Sequence, residues 1–144
     1  MLKSLDKVTA PRASSTHAGG GSIAAHTDHL RYGFGILNKW MAGEVKPWTG
    51  ADWTISWRKN DVTEAEWTTL RSDLRREALS WIEGIRTPRD IDATELGWLI
   101  GSIAHLGYHL GAIRQIDRAA RGPKAEDERR VEEQLRRNEM GGNS

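Results

Sequence analysis

The chain has no cysteine. That absence removes disulfides, thiolate nucleophiles and cysteine metal ligands together, and leaves the redox compartment open. Nor does either sign of charge dominate: 21 Lys and Arg against 20 Asp and Glu give a net charge of +1, so charge alone points to neither a nucleic-acid footprint nor a strongly acidic surface. No apolar run approaches the ~18 residues needed to span a membrane, and no basic–apolar–small leader opens the chain. What is present is 144 residues, enough for one domain with a real core. Seven tryptophans stand against a single phenylalanine, several of them outside the obvious helices. The expectation is a soluble cytoplasmic domain with neither nucleic acid nor membrane among its partners.

Along the chain the periodic segments are all helical. Residues 1–21 are rich in Gly, Ser, Thr and Ala and show no sustained period; they read as an arm, with at most a turn of helix over Leu2–Val8, and His17 within it reads as a surface histidine. Residues 22–122 form the bundle. A first long helix runs from Ser22, a plausible N-cap, to Met41, with His29, Tyr32, Gly33, Ile36 and Trp40 on one side and Ile23, Leu30, Phe34, Leu37 and Met41 on the adjoining flank. The connection over residues 43–62 carries Trp48, Trp53 and Trp57. A structureless stretch of that length in a compact domain usually covers or forms a site, so these tryptophans either pack the loop down or touch substrate.

A second helix opens on the capping box Thr63–Glu66 and runs to about Ile85, with Trp67, Leu70, Leu74, Ala78 and Trp81 at spacings of three or four. A third opens on the box Asp92–Glu95 and is expected to continue to Arg121, where Gly122-Pro123 stops it. It is apolar on nearly every side, which predicts burial all round. The remainder, 123–144, reads as a solvated helix and tail, with five basic and six acidic residues between Lys124 and Glu139 and opposite charges four apart. No stretch alternates with period two, so the fold class is all-α, a helical bundle.

Within the third helix stands "IAHLGYHLGAI", residues 103–113. Residues four apart on a helix have Cβ atoms roughly 5–6 Å from each other, so His105 and His109 can chelate one divalent ion, or can be two core histidines sharing hydrogen bonds. The protease form of this spacing, H-E-x-x-H, carries a glutamate base; His-Leu-Gly-Tyr-His does not, which argues against protease chemistry. A third histidine on the core side of another helix favours the metal, and His29 is the candidate. Three neutral imidazoles leave coordination positions open, the pattern of reactive and not of closed sites. His26, one turn before His29, is a possible fourth ligand or supporting group.

The segments "SIAAHTDHLRYGFGILNKWM", "DWTISWRKNDVTEAEWTTLRSDLR" and "HLGYHLGAIRQI" together resemble the DinB/YfiT-like superfamily over residues 22–118. The resemblance implies a four-helix bundle, often homodimeric, holding a divalent metal (nickel or zinc first, iron or manganese next) on three histidines. Carried over by position, these are His29, His105 and His109, with His26 at a place that is not usually a ligand. Members usually carry a long helix ahead of the "SI…H" helix, which here is short or missing. The fourth bundle position then falls to the C-terminal helix or to a partner chain. The apolar third helix, with Leu99, Ile100, Ile103 and Leu110 facing away from the histidines, favours a homodimer.

The resemblance further implies a metal-dependent enzyme of the thiol S-transferase or hydrolase type, acting on a low-molecular-weight thiol or another small molecule. No catalytic residue beyond the ligands is assigned. Tyr32 and Tyr108 could donate hydrogen bonds, Glu44 and Asp52 are the nearest acids, and Arg114 and Gln115 read as structural or interface residues. The alternative is a non-catalytic, stress-related metal-binding homodimer, in which the ion stabilises the bundle.

Overall fold

The computed structural model describes residues 2–117 and Arg130. The charged helix expected over 123–144, and residues 118–121 to which the third helix is expected to continue, lie outside the described residues. Every regular element among those described is helical: α1 (Leu2–Leu5), α2 (Ala10–Ala13), α3 (Ile23–Met41), a 3₁₀ turn (Ile55–Arg58), α4 (Glu64–Arg86) and α5 (Ala93–Ile116). The long helices start where the sequence signals them. Ser22, extended, accepts the Ala25 N–H at 3.1 Å. Thr63 with Glu66, and Asp92 with Glu95, form complete capping boxes at the heads of α4 and α5.

Helix α3 is the centre of the molecule, packed most extensively on α4 and also on α5 and the 3₁₀ turn. Its first two turns, Ile23 to Leu30, are buried on all sides. The α4 stripe Trp67, Leu70, Leu74, Ala78 and Trp81 is buried, as its spacing requires, and meets Leu30 and Phe34 of α3 in the core.

The N-terminal arm contributes more than its sequence suggests. Leu5, Val8, Ala10 and Ala13 are at most 3% exposed and belong to the main core. Polar bonds fix the arm's register: the Trp67 indole N–H donates to the Val8 carbonyl at 2.6 Å, the Ala10 N–H donates to Glu64 at 2.9 Å, and Arg12 pairs with Asp117. The arm therefore joins the head of α4 to the tail of α5.

Helix α5 departs from expectation twice. It ends at Ile116 and does not run to Arg121: Asp117 leaves the helix with extended backbone (φ −131°, ψ 115°), and its buried carboxylate meets Arg12. It is also one-sided. Only His109 and Ile113 are buried, Leu99 and Leu106 pack partly on the core, and Leu96, Ile100 and Ile103 are exposed, Ile103 at 58%. The reason is that α3 is the one helix extensively packed against it among the described residues, and a single neighbour covers a single face. Of the residues expected on the face away from the histidines, Ile100 and Ile103 are exposed, whereas Leu99 packs partly on the core.

Candidate metal centre

Helices α3 and α5 each present two histidines to the same small volume. His29 from α3 and His105 and His109 from α5 have ligand-capable nitrogens all within 4.8 Å of one another. Ring centroids are 4.4 Å apart for His105–His109, 4.8 Å for His29–His109 and 5.2 Å for His29–His105. His109 Nε2 lies 2.8 Å from His105 Nε2. The helical spacing of four sets that pair; the packing of α3 on α5 supplies the third ring.

His26 enters from the opposite side of His109. Its Nδ1 is 2.8 Å from His109 Nδ1, so the two nitrogens of His109 face different partners. When His109 Nδ1–H donates to His26, the Nε2 lone pair of His109 is left for the centre shared with His105 and His29. His26 thereby supports the His109 ring and stands outside the three-histidine group.

All four imidazoles are held neutral. Burial lowers the pKa of His109 to about 3, helped by the charges that His105, His29 and His26 would carry. His29 is lowered by burial and then by His105, with the Trp53 backbone and Asp28 opposing weakly. His26 is lowered by burial and by His29, and His105 by desolvation of its ring at the cluster although the residue as a whole is exposed. Neutral rings offer lone pairs, which a cation needs. The buried Nδ1 of His29 has no hydrogen-bond partner. A donor set of neutral imidazoles with one orphaned nitrogen could hold a metal ion.

The tryptophan loop covers this cluster. Trp57 stacks on His29 (4.8 Å, 25°) and meets His26 edge-on at 5.1 Å, while Trp53 lies 5.9 Å from His29. Trp57 can seat there because Gly21 carries no side chain: a Cβ at Gly21 would come within 2.9 Å of the indole. Ser22 ties the same corner, its hydroxyl donating to the Lys59 carbonyl at 3.3 Å and its N–H to the Asn60 side chain at 3.4 Å.

Other residues singled out from sequence stand apart. Asp52 is exposed and accepts bonds from the Thr54 hydroxyl (2.6 Å) and N–H (2.9 Å), which lower its pKa and commit it to shaping the loop. Glu44, His17 and Gln115 are exposed, and Arg114 is half-buried. The Tyr32 ring packs on Trp53, and Tyr108, 68% exposed, touches His109 with its ring edge-on.

In sequence, Gly107 and Gly111, which bracket His109, suggest close backbone approach or room beside a site; the space lies instead beside Gly97 and Gly101. A cavity of about 700 Å³ runs between α3 and α5, lined among others by His29, His105, Ser102, Trp53, Trp98 and Trp40. The signal was available: Gly97, Gly101 and His105 recur every four residues on one face of α5, beside Trp98 and Ser102. No helix among the described residues is long and apolar enough to cross a membrane. No family model, no curated protein and no solved structure matches the chain, so the centre is read from its own geometry.

Proposed function

We propose that the chain is a DinB/YfiT-like four-helix-bundle protein that holds one divalent ion, nickel or zinc, on His29, His105 and His109, and serves as a metal-dependent enzyme of the thiol S-transferase or hydrolase type. The observation that carries the reading is the meeting of three neutral imidazoles from two helices with their ligand nitrogens within 4.8 Å, next to an open cavity. When bound, such an ion supplies Lewis acidity and lowers the pKa of a water or a thiol. The chain's own residues do the rest. His26 holds His109 in the tautomer that binds, Trp57 and Trp53 shield the imidazoles from bulk water, and the cavity admits the reacting molecule. The reading includes a homodimer through the outer face of α5, where Leu96, Ile100 and Ile103 are exposed.

A second reading, a non-catalytic metal-binding protein, is favoured by one observation: neither Asp52 nor Glu44, both exposed, belongs to the three-histidine group, so no carboxylate base joins it among the described residues. The test is metal content by mass spectrometry on protein purified without an affinity column. About one equivalent per chain in the wild type, lost in His29→Ala and His105→Ala, is the expected result, followed by thiol-transfer and ester-hydrolysis assays on the loaded protein. Wild type that takes up no nickel, zinc or iron overturns the reading. Metal without turnover in either assay favours the second.

A further inference from the structure

We infer that the groove between α3 and α5 takes an uncharged, largely apolar molecule, seated along the tryptophan wall with its one polar group at the histidine end. This rests on the histidine centre being where reaction occurs, and adds the class of substrate that reaches it. The groove follows α3 from His29 to Trp40, eleven residues and so about 16 Å at 1.5 Å per residue. Its volume of about 700 Å³ is in the range of pockets that enclose a drug-sized ligand.

Among the described residues, no lysine, arginine, aspartate or glutamate lines it. Apart from indole N–H groups, its polar side chains are His29 and His105 at one end and Ser102, and the Ser102 hydroxyl already donates to the Trp98 carbonyl at 2.8 Å. A carboxylate or ammonium seated along such a groove would lose part of its hydration with no charged side chain in the lining to replace it. Charged low-molecular-weight thiols such as glutathione therefore do not fit along it. Aromatic and aliphatic bodies do, because the far end is walled by Trp40, Trp48 and Trp98, with Trp48 and Trp98 edge-to-face at 4.5 Å and Trp40 and Trp98 at 5.9 Å.

Glycine keeps the groove open. Gly97 and Gly101 lie on the α5 side of the cavity, and a Cβ added at either meets nothing within 4 Å. In mid-helix each costs about 1 kcal/mol of helix stability relative to alanine, and no close backbone approach accounts for them. The space they leave belongs to the cavity.

The test uses the full chain and the fluorescence of the groove's own tryptophans. N-phenylnaphthylamine, uncharged, and anilinonaphthalene sulfonate, its sulfonated counterpart, are titrated in parallel, with glutathione as competitor. The expected result is saturable tryptophan-to-probe energy transfer for the uncharged probe, at least tenfold weaker binding of the sulfonate, and no displacement by glutathione. Gly97→Leu and Gly101→Leu fill the groove and weaken the uncharged probe tenfold or more, while metal content and melting temperature do not fall. Equal or tighter binding of the sulfonate, displacement by glutathione, or unchanged probe affinity in both leucine variants overturns the inference. The comparison of the two probes on wild type needs no variant to fold. Wild type that takes metal but not the uncharged probe rejects this inference alone; wild type that takes the probe but no metal rejects the metal centre alone.

Discussion

His105 and His109 sit on the same helix face and share a 2.8 Å contact, yet His105 is exposed and His109 is 1% exposed, and this difference separates ligation from packing. His105→Ala removes little buried surface, so the metal-free protein should lose at most about 1 kcal/mol, the scale of one net hydrogen bond. His109→Ala opens a hole in the packed interior and leaves the buried Nδ1 of His26 without its partner. Its cost to the metal-free fold is about 2 kcal/mol or more. Added metal changes the comparison. An ion that binds only the folded state stabilises it by about 2.7 kcal/mol at a hundredfold excess over Kd. For a domain of this size that is a rise of roughly 10 °C in melting temperature.

The assay is thermal melting followed by circular dichroism, with chelator and then with zinc or nickel. Wild type should rise by about that amount, His105→Ala should start close to wild type and gain almost nothing, and His109→Ala should start low and also gain nothing. A His105→Ala protein that keeps the full metal-induced rise would refute the assignment of His105. A His109→Ala protein as stable as wild type without metal would refute the packing role given to that ring.

Acid should weaken the metal-free fold. The unfolded histidines protonate near 6.5 and the folded cluster resists it, down to about 3 for His109, so the unfolded state binds more protons throughout that interval. Stability is then fully present above 6.5 and falls as pH drops below it; urea midpoints at pH 7.5, 6 and 5 that stay level or rise would refute this. His26→Phe keeps an aromatic body but cannot accept from His109 Nδ1, and should weaken metal affinity roughly 10–100-fold by competition with a chromogenic chelator, with all three ligands intact; an unchanged affinity removes His26 from the centre. Trp67→Phe deletes the 2.6 Å bond to the Val8 carbonyl and should cost about 1–3 kcal/mol by urea unfolding, together with faster proteolysis of residues 2–13; a silent substitution would mean that this bond does not hold the arm. Ile103→Glu, on the exposed outer face of α5, should convert a dimer to a monomer in sedimentation without loss of helicity, and a wild type that sediments as a monomer rejects the dimer.

How much of this was legible in the sequence depended on how local the determinant was. Both capping boxes involve side chains three residues apart, and both are in place. The α4 stripe is buried because a single periodic face meets α3 and, at its head, the N-terminal arm. The H-x-x-x-H pair is likewise local, and its direction follows from helix geometry. Whether His29 joins it depends on how α3 packs against α5, which sequence gives only as a face, not a distance. The arm was least legible: four small and medium apolar residues at irregular spacing carry no period, and their burial is decided by the Trp67–Val8 bond and the Arg12–Asp117 pair, links across 59 and 105 positions. The early end of α5 has the same cause, since Asp117 leaves the helix to meet an arginine at the far end of the chain.

The apolar content of α5 misleads for a different reason, and that reason bears on function. A helix apolar on every side predicts burial on every side, but the apolar residues here divide into three uses. Ile113 and, in part, Leu99, Leu106 and Ile116 pack the core. Trp98, with Gly97 and Gly101, walls an open groove leading to His105. Leu96, Ile100 and Ile103 form an exposed outer face. The pattern of apolar and polar residues around the helix cannot separate these, because packing, ligand binding and association all favour the same side chains. What separates them is position in the fold: Gly97 and Gly101 line the cavity, whereas Gly107 and Gly111 of the same helix do not. A helix built only to pack gains from alanine at positions 97 and 101, about 1 kcal/mol each in propensity, with no clash to prevent it. At these two positions the open space is the groove itself, on the face that carries His105, which ties the shape of the cavity to the histidine at its end.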